Sequence, residues 1–276
     1  MNQNQIEKPK NRSKLRRQLG KEYFCLKRKV KWFTDKQTYA YQQDLANLEF
    51  SIIEHQSFLL KRLKDVDMYL QHNKTVNLNI AIAKINGVII KPGETFSFWK
   101  LVGRPTKNKG YLDGLSLSNG QIGADVGGGL CQLGNLIYWM VIHTSLTVKQ
   151  RWRHSYDVFP DVNRTIPFGS GATLSYNYID LQFKNDTDSD FQLNLWIDDK
   201  YVKGSICSTQ ELSHTYKVFE TDHKFELQWW GGYTRHNKIW RELIPKVVEG
   251  ESELETVKEL VTENHAVMMY NPLLPV

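Results

Sequence analysis

Three glycines stand directly before a cysteine and an apolar segment, in the stretch ADVGGGLCQLGNLIYWMVIHTSL that runs from Ala124 to Leu146. After the cysteine, apolar residues recur at the three-to-four spacing of a helix: Leu133, Leu136, Ile137, Met140 and Val141. Cys131 therefore falls in the first turn of a predicted helix. There the positive end of the helix dipole and the unpaired N–H groups favour a thiolate and lower the thiol pKa. This is one way to present a reactive sulfur.

The glycines give the same stretch a second chemical feature. Gly127, Gly128 and Gly129, with Leu130 after them, leave backbone N–H groups unshielded, and such groups can bind the oxyanion of a tetrahedral intermediate. The combination is typical of a cysteine acyl-transfer enzyme. The stretch fits neither GxGxxG nor GxxxxGK[ST], so it does not predict a phosphate-binding loop. The residues equally allow a buried, inert cysteine after a tight turn that needs glycines only for packing.

A nucleophilic cysteine needs a base, and His154 in RWRHSYDVFP is the candidate. It follows Cys131 by 154 − 131 = 23 residues, and the flanking Arg151 and Arg153 would also favour a thiolate. His143 is a competitor, but it lies at the end of the predicted helix, where histidine more often serves as a cap. Cysteine and histidine here have no recognised metal-site spacing, so we predict no metal and no cofactor.

Composition limits the class of protein. The chain has 276 residues, of which 41% are hydrophobic, enough for one large domain with appendages. Its three cysteines, Cys25, Cys131 and Cys207, are too few and too far apart for a disulfide framework or a zinc ribbon. The sequence has no apolar run of about 18 residues and no apolar signal region of about 7–15 residues near its start. We therefore predict a cytoplasmic protein, or one peripheral at the inner membrane face.

Positive charge is concentrated near the N-terminus. The segment Lys8–Lys31 holds 11 Lys and Arg residues against one acid, Glu22, a local net charge of +10. The whole chain carries +6, so the remainder carries 6 − 10 = −4. The basic segment is either a solvated leader or a surface for an anionic membrane, because YFCLKRKVKWF interleaves aromatic with basic residues. No nucleic-acid motif accompanies the charge, so no specific nucleic acid is expected.

Patterning along the chain predicts an α+β fold. N-terminal helices come first, and a helix after the glycine loop then packs on a mainly antiparallel sheet. Residues 1–35 form a basic leader that is partly disordered, and 36–74 form a helical segment. Residues 75–210 form the core domain, and 211–276 a β-rich extension packed on it. Strict alternation in FQLNLWI predicts a strand. Ser252 and Glu255 have capping-box spacing for a short helix near the end.

Four motifs resemble the VanW family: NGVIIKPGETFSFW, GGGLCQLGNLIYW, the downstream RWRH, and GSGATLSYNYIDLQFKND. HNKIWRELI and TENHAVMMY are similar to the C-terminal part of VanW proteins from B-type vancomycin resistance clusters. The resemblance covers most of the chain from about residue 75 onward. The GGG-aliphatic-CQ signature preceded by PGETFSF is specific to this family.

The resemblance implies a role in glycopeptide resistance and cell-wall peptide metabolism. The extracytoplasmic VanW-domain proteins of clostridia to which the sequence is similar are peptidoglycan L,D-transpeptidases with a cysteine nucleophile. Carried to this sequence, that activity makes Cys131 the nucleophile and His154 the base, with Gly127–Gly129 and Gln132 completing the signature loop. The partner would be a peptidoglycan stem peptide or precursor. With water as acceptor, the same site would be an L,D-carboxypeptidase.

The sequence departs from the family pattern in one informative place. The family's GxDAT reads GSGAT here, so that Gly171 stands where an acid is expected. A missing carboxylate that orients the histidine would cost much of the rate. Asp180 in YIDL is a candidate substitute, and Arg104 and Tyr111 could meet a substrate carboxylate. The alternative function is a non-catalytic accessory protein that binds cell-wall peptides or partner proteins.

Overall fold

The computed structural model describes residues 13–60, 67–118, 121–158, 160, 166–176, 179–246 and 255–272. Within these ranges the helices are α1 (Lys14–Thr34), α2 (Met68–Ile85), α3 (Phe98–Val102) and α4 (Cys131–Val141), with one 3-10 turn at Lys107–Lys109. The strands are β1 (Phe50–Phe58), β2 (Val88–Ile90), β3 (Thr95–Ser97), β4 (Asp113–Ser118), β5 (Gln121–Val126), β6 (Thr147–Gln150), β7 (Tyr156–Asp157), β8 (Gln182–Lys184), β9 (Phe191–Ile197), β10 (Tyr201–Ser208), β11 (His214–Leu227), β12 (Tyr233–Pro245) and β13 (Val257–Met268). None of the described helices is long and apolar enough to cross a membrane.

The strands form three sheets and a hairpin, and nearly all of their pairings are antiparallel. One sheet has the order β1-β10-β9-β2 and another the order β3-β8-β6. The C-terminal sheet has the order β11-β12-β13-β7, in which only the short β7 runs parallel to its neighbour. β4 and β5 pair with each other as a separate hairpin. This arrangement confirms the predicted α+β class.

A single apolar core lies between the helices and the first sheet. Its completely buried side chains include Leu78 and Ile85 of α2 and Leu133 and Ile137 of α4. The three-to-four spacing of these residues in both helices explains why the two helices can fill one core. α2 stops where Gly87 adopts a left-handed backbone with φ of 76°. The predicted helix after the glycine loop is confirmed.

The predicted helical segment 36–74 is wrong over much of its length. Phe50–Phe58 is strand β1, which pairs antiparallel with β10, and the helix begins only at Met68. β1 alternates exposed and half-buried residues, and its Ile53 packs against the core. The apolar spacing in this segment fits a helix and a strand almost equally well, and pairing with β10 decides between them. Residues 61–66 lie outside the described part of the chain.

The described parts of both chain ends have regular secondary structure. In the leader, predicted to be partly disordered, residues 14–34 form the 21-residue helix α1, and residues 1–12 lie outside the described ranges. The short helix predicted after the Ser252–Glu255 capping box is wrong, because Val257–Met268 is strand β13. Ser252 itself lies outside the described residues. The partner strand β12 stabilises the extended form, which a local capping pattern does not register.

The C-terminal sheet rests on the segment that follows α4. The Arg241 guanidinium donates to the Thr144 carbonyl at 3.1 Å, and Arg151 donates to the Thr262 hydroxyl at 3.2 Å. The fully buried pair Arg235–Asp157, 3.3 Å apart, joins β12 to β7. The sheet therefore fixes residues 151–157, the segment that carries His154.

A close approach of two backbones joins the β4–β5 hairpin to the glycine run. A Cβ atom placed on Gly128 would lie 2.1 Å from the Gly114 carbonyl oxygen, and one on Gly114 would lie 2.4 Å from the Gly128 oxygen. No side chain fits at either position unless one backbone moves. Gly128 does not have a positive φ, so the constraint here is space alone.

We predict that Gly128→Ala lowers the free energy of unfolding by about 2 kcal/mol, because the added methyl group forces two backbones apart. Gly123→Ala in the same hairpin is the control, since its Cβ would meet only the Ser116 hydroxyl at 3.5 Å. The control should change stability by less than about 0.5 kcal/mol. Urea unfolding of both variants tests this, and equal stabilities would contradict the packing described.

Candidate cysteine site

The glycine loop between β5 and α4 is held in place by hydrogen bonds on both sides. Asn77 of α2 is completely buried, and its side-chain amide donates to the carbonyls of Gly128 and Leu112, each at 3.0 Å. The Asn77 carbonyl in turn accepts the Leu112 N–H at 2.8 Å. Gly127 donates its own N–H to the Leu112 carbonyl at 2.9 Å. One buried side chain thus ties helix, hairpin and loop together.

Each of the three glycines is required for a separate steric reason. A Cβ on Gly127 would lie 2.6 Å from Pro105, and one on Gly129 would lie 2.2 Å from the Lys74 side chain. Gly127 and Gly129 also have φ angles of 78° and 92°, which side chains with a Cβ rarely adopt. The packing interpretation of the glycines is therefore correct, and it does not exclude a chemical role for their amides.

Two amides at the end of the loop have no described hydrogen-bond acceptor. The N–H of Gly127 goes to Leu112 and that of Gly128 to the Asp125 carbonyl at 2.9 Å. The N–H groups of Gly129 and Leu130 donate to no acceptor among the described residues, whereas their carbonyls accept from the first turn of α4. The oxyanion-binding potential of the loop is thus confined to its last two positions.

Cys131 is the first residue of α4 and is partly exposed. Its sulfur accepts the Leu174 N–H at 3.4 Å and lies 3.7 Å from the Leu174 carbonyl oxygen. Burial raises the pKa of the Cys131 thiol above its usual value, although the Leu174 N–H acts in the opposite direction. The expectation of a lowered pKa at the helix N-terminus is therefore wrong. Loss of hydration on burial disfavours the thiolate more than the backbone N–H groups at the sulfur favour it.

The structure brings the segment of His154 next to that of Cys131 without joining the two side chains. Thr173 donates its N–H to the Trp152 carbonyl at 2.7 Å, and the neighbouring Leu174 donates to the Cys131 sulfur. In the described part of the chain no hydrogen bond links His154 with Cys131. Burial, and then the charge of Arg153, lowers the pKa of His154. Its imidazole is thus neutral near pH 7 and able to accept a proton.

Gly171 stands at the sequence position where the family pattern has an acid, and the structure leaves no room for a side chain there. A Cβ there would lie 2.4 Å from the Asn135 side-chain oxygen, which itself accepts the Ala172 N–H at 2.8 Å. The Gly171 carbonyl accepts from Arg151 at 2.8 Å. Asn135 lies one helical turn after Cys131, so the site of the missing acid is beside the helix that carries the cysteine. In this chain an amide occupies that space and binds the backbone.

Asp180 lies at a different structural position from the candidate base. Its completely buried carboxylate accepts from the Ser97 hydroxyl at 2.6 Å and from the Trp99 N–H at 3.1 Å. It also accepts the Leu181 N–H and the side-chain amide of Gln182. Burial raises the pKa of Asp180, and the hydrogen bonds from Ser97, Gln182 and Trp99 only partly oppose this. Since Ser97 is the N-cap of α3, Asp180 anchors the start of that helix, and no described hydrogen bond joins it to His154.

The remaining predicted residues are accounted for by the protein itself. Gln132 donates to the Ser57 hydroxyl and the Phe58 carbonyl, which ties α4 to β1. Arg104 makes a two-pronged ion pair with Glu22 of α1, at 2.6 and 2.9 Å. Tyr111 is buried, and burial raises its pKa to about 12. A substrate carboxylate would reach Arg104 only by replacing Glu22. The Tyr111 hydroxyl has no partner among the described residues.

Sequence reasoning missed three residues of the site. Lys74 is buried, covers Gly129 with its aliphatic chain and donates to Gln71 at 2.8 Å. Asn135 follows Cys131 by four residues, a spacing that predicts one helix face. Leu174 contributes only backbone atoms, for which the sequence carries no signal. Within the described ranges, no group of three or more His, Cys, Asp and Glu side chains could hold a metal ion.

Comparison with known proteins gives the chain a family. Residues 73–207 match the family model described as VanW like protein. The chain is 36% identical over 215 residues to the vancomycin B-type resistance protein VanW of Enterococcus faecalis, covering 78% of this chain and 77% of that protein. It is 32% identical over 113 residues to the uncharacterized protein YoaR of Bacillus subtilis, covering 41% of this chain and 36% of that protein. No solved structure matches significantly.

We predict that Cys131 of the folded protein reacts with iodoacetamide at a higher pH midpoint than an ordinary thiol, because burial raises the pKa of its thiol. The pH dependence of alkylation, followed by peptide mass spectrometry, measures the midpoint. The same residue in urea-unfolded chain is the reference for an ordinary thiol. His154→Ala should leave the midpoint unchanged. A midpoint below about 8.5 would instead indicate a stabilised thiolate.

A second prediction concerns Asp180→Asn. Either oxygen that becomes an amide nitrogen would face two donors, so the free energy of unfolding should fall by about 1–3 kcal/mol. Asp199→Asn, on an exposed side chain, is the matched control and should be near neutral. Calorimetric or urea unfolding gives both values. An Asp180→Asn protein of unchanged stability would show that the carboxylate is not the anchor of α3.

Proposed function

The chain belongs to the VanW family, which is linked to vancomycin resistance. We propose that it is a cysteine acyltransferase acting on peptidoglycan stem peptides, and that it serves the cell-wall metabolism of glycopeptide resistance. Transfer to an amine makes the activity an L,D-transpeptidase, and transfer to water an L,D-carboxypeptidase. The partner is then a stem peptide or its precursor.

The observation that carries the proposal is a sulfur next to two unused amides. Cys131 begins α4, and the preceding Gly129 and Leu130 are the only loop positions whose N–H groups donate to no described acceptor. The N–H groups of Gly127 and Gly128 donate to backbone carbonyls and so hold the loop in place. A purely structural cysteine would not require that two neighbouring N–H groups lack an acceptor. Undonated amides beside a nucleophile are what stabilisation of an oxyanion requires.

The proposed reaction begins from a neutral thiol and a neutral imidazole. As the Cys131 sulfur attacks the carbonyl carbon of the diamino acid at position three, its proton passes to His154. A C–S bond forms, and the carbonyl electrons move to the oxygen that the Gly129 and Leu130 amides hold. When the oxyanion collapses, the C–N bond breaks, and His154 protonates the departing amine of the terminal residue.

The second half of the reaction restores the enzyme. An acceptor amine, or water, gives a proton to His154 and attacks the thioester carbonyl. The C–S bond then breaks, and the Cys131 thiolate regains its proton from the imidazolium. The lowered His154 pKa suits this role, because the imidazole is unprotonated and ready to accept at neutral pH. Substrate must close the gap between the two side chains, as it often does between catalytic groups.

A second function has observations of its own. The raised Cys131 pKa, the glycine at position 171 and the absence of a described Cys131–His154 contact all favour a non-catalytic protein that binds cell-wall peptides. In that case the same two amides would hold a peptide carbonyl or carboxylate without any reaction. Trapping of the covalent intermediate separates the two functions.

We predict that a stem tetrapeptide forms a thioester with Cys131, visible by intact-mass spectrometry and then by peptide mapping after a rapid acid quench. Cys131→Ala should abolish both the adduct and the release of the terminal amino acid. Cys25→Ala and Cys207→Ala, at buried cysteines outside the glycine loop, should retain both. His154→Ala should slow acylation by roughly 10²-fold or more.

The opposite results are equally informative. If the wild-type protein binds the tetrapeptide but neither forms an adduct nor releases an amino acid, the acyltransferase proposal fails and the binding function replaces it. If Cys131→Ala turns over at the wild-type rate, the chemistry lies elsewhere in the chain.

A further inference from the structure

Helix α1 exposes a continuous apolar stripe. Six large apolar residues recur along it at intervals of four, four, three, four and three, and their side chains are 54–91% exposed: Leu15, Leu19, Tyr23, Leu26, Val30 and Phe33. At about 100° per residue, the six fall within an arc of about 80°. Single exposed apolar residues are ordinary, but six aligned along one helix are not.

The opposite side of α1 is attached to the body of the protein, which fixes the direction of the stripe. Cys25 is buried, and its thiol donates to the Tyr176 carbonyl at 3.9 Å. Arg28 donates to the Gln150 side chain at 2.7 Å, and Trp32 packs against the core. Glu22 binds Arg104. With these residues turned toward the protein, the stripe points away from it.

Cations border the stripe along its length. The helix contains eight Lys and Arg residues against the single acid Glu22, whose charge Arg104 already balances. In angular position Arg16 and Lys27 lie on one side of the stripe and Lys29 on the other, each within about 40° of its edge. Glu22 also lies at the edge on the Lys29 side, where it is paired with Arg104. Long cationic side chains there can reach a negative surface while the apolar residues enter it.

We propose that α1 is a docking surface for an anionic phospholipid membrane. The helix lies parallel to the bilayer, with the stripe buried at the boundary between headgroups and acyl chains and the bordering cations on lipid phosphates. Its 21 residues would extend over about 30 Å of membrane surface. An apolar face bordered by Lys and Arg is the composition of helices that bind in the interface plane.

Charge distinguishes this occupant from two others. A second copy of the chain would bring an equally basic α1 against the first, and bordering cations of like sign oppose such a pair. Nucleic acid would satisfy the cations but would leave the apolar stripe in water. Only a surface with anionic groups outside and an apolar layer beneath them can contact the cations and the apolar stripe of α1 at the same time.

Vesicle flotation of the full-length protein tests the proposal. We expect binding to mixed phosphatidylglycerol and phosphatidylcholine vesicles and little binding to phosphatidylcholine alone. Triple substitution of the stripe (Leu19→Gln, Leu26→Gln, Phe33→Gln) should weaken binding at least about tenfold. The matched control carries Leu45→Gln, Leu227→Gln and Trp229→Gln, at residues that are similarly exposed outside α1. It should bind as wild type does.

A second variant keeps the stripe and removes charge. Arg16→Gln, Lys27→Gln and Lys29→Gln together should abolish the preference for phosphatidylglycerol, and raising the salt concentration should weaken wild-type binding in the same direction. Circular dichroism of each variant checks that α1 remains helical.

Three results would overturn the proposal. One is equal wild-type binding to anionic and neutral vesicles, and another is unchanged binding by the stripe variant. The third is an oligomer of lipid-free protein, seen by analytical ultracentrifugation, that the stripe variant dissociates. That result would make the stripe an interface between copies of the chain.

Discussion

The buried amide of Asn77 is the interaction on which the cysteine site depends. It binds Leu112 and Gly128 at once, and so fixes the distance between the β4–β5 hairpin and the glycine loop. At that distance the Gly114 and Gly128 backbones touch, and neither position can hold a side chain. The N–H groups of Gly127 and Gly128 already donate to backbone carbonyls within the protein. What the loop can offer a ligand is restricted to Gly129, Leu130 and the sulfur that follows them.

Electrostatics at the sulfur is decided by competition between loss of hydration on burial and the backbone N–H groups near the sulfur. A helix N-terminus and the Leu174 N–H both favour a thiolate, yet burial raises the thiol pKa. Burial also lowers the pKa of His154, with help from Arg153. Both groups are therefore neutral in the resting protein. In the proposed mechanism the proton would move from sulfur to imidazole as charge develops on the substrate, without a preformed ion pair.

Sequence patterns predicted the parts of the fold that local periodicity controls. The helix after Cys131 and the alternation of Phe191–Ile197 both follow from spacing that only one local structure satisfies. Strand β1 was missed because its apolar spacing is ambiguous and β10, far along the chain, determines its structure. The residue types in the sequence indicated Cys131 and the glycine loop as candidates. They did not indicate that burial would raise the Cys131 pKa, because the burying residues come from distant segments of the chain.

The amides of Gly129 and Leu130 provide the most direct test of the site. A stem-peptide aldehyde should form a hemithioacetal with Cys131, whose oxygen lies where the oxyanion of the reaction would lie. In a ¹H–¹⁵N spectrum the account predicts downfield shifts of the Gly129 and Leu130 amide protons, with Gly127 and Gly128 nearly unchanged because their hydrogen bonds are already made. Uniform small shifts of all four, or no adduct at Cys131, would contradict it.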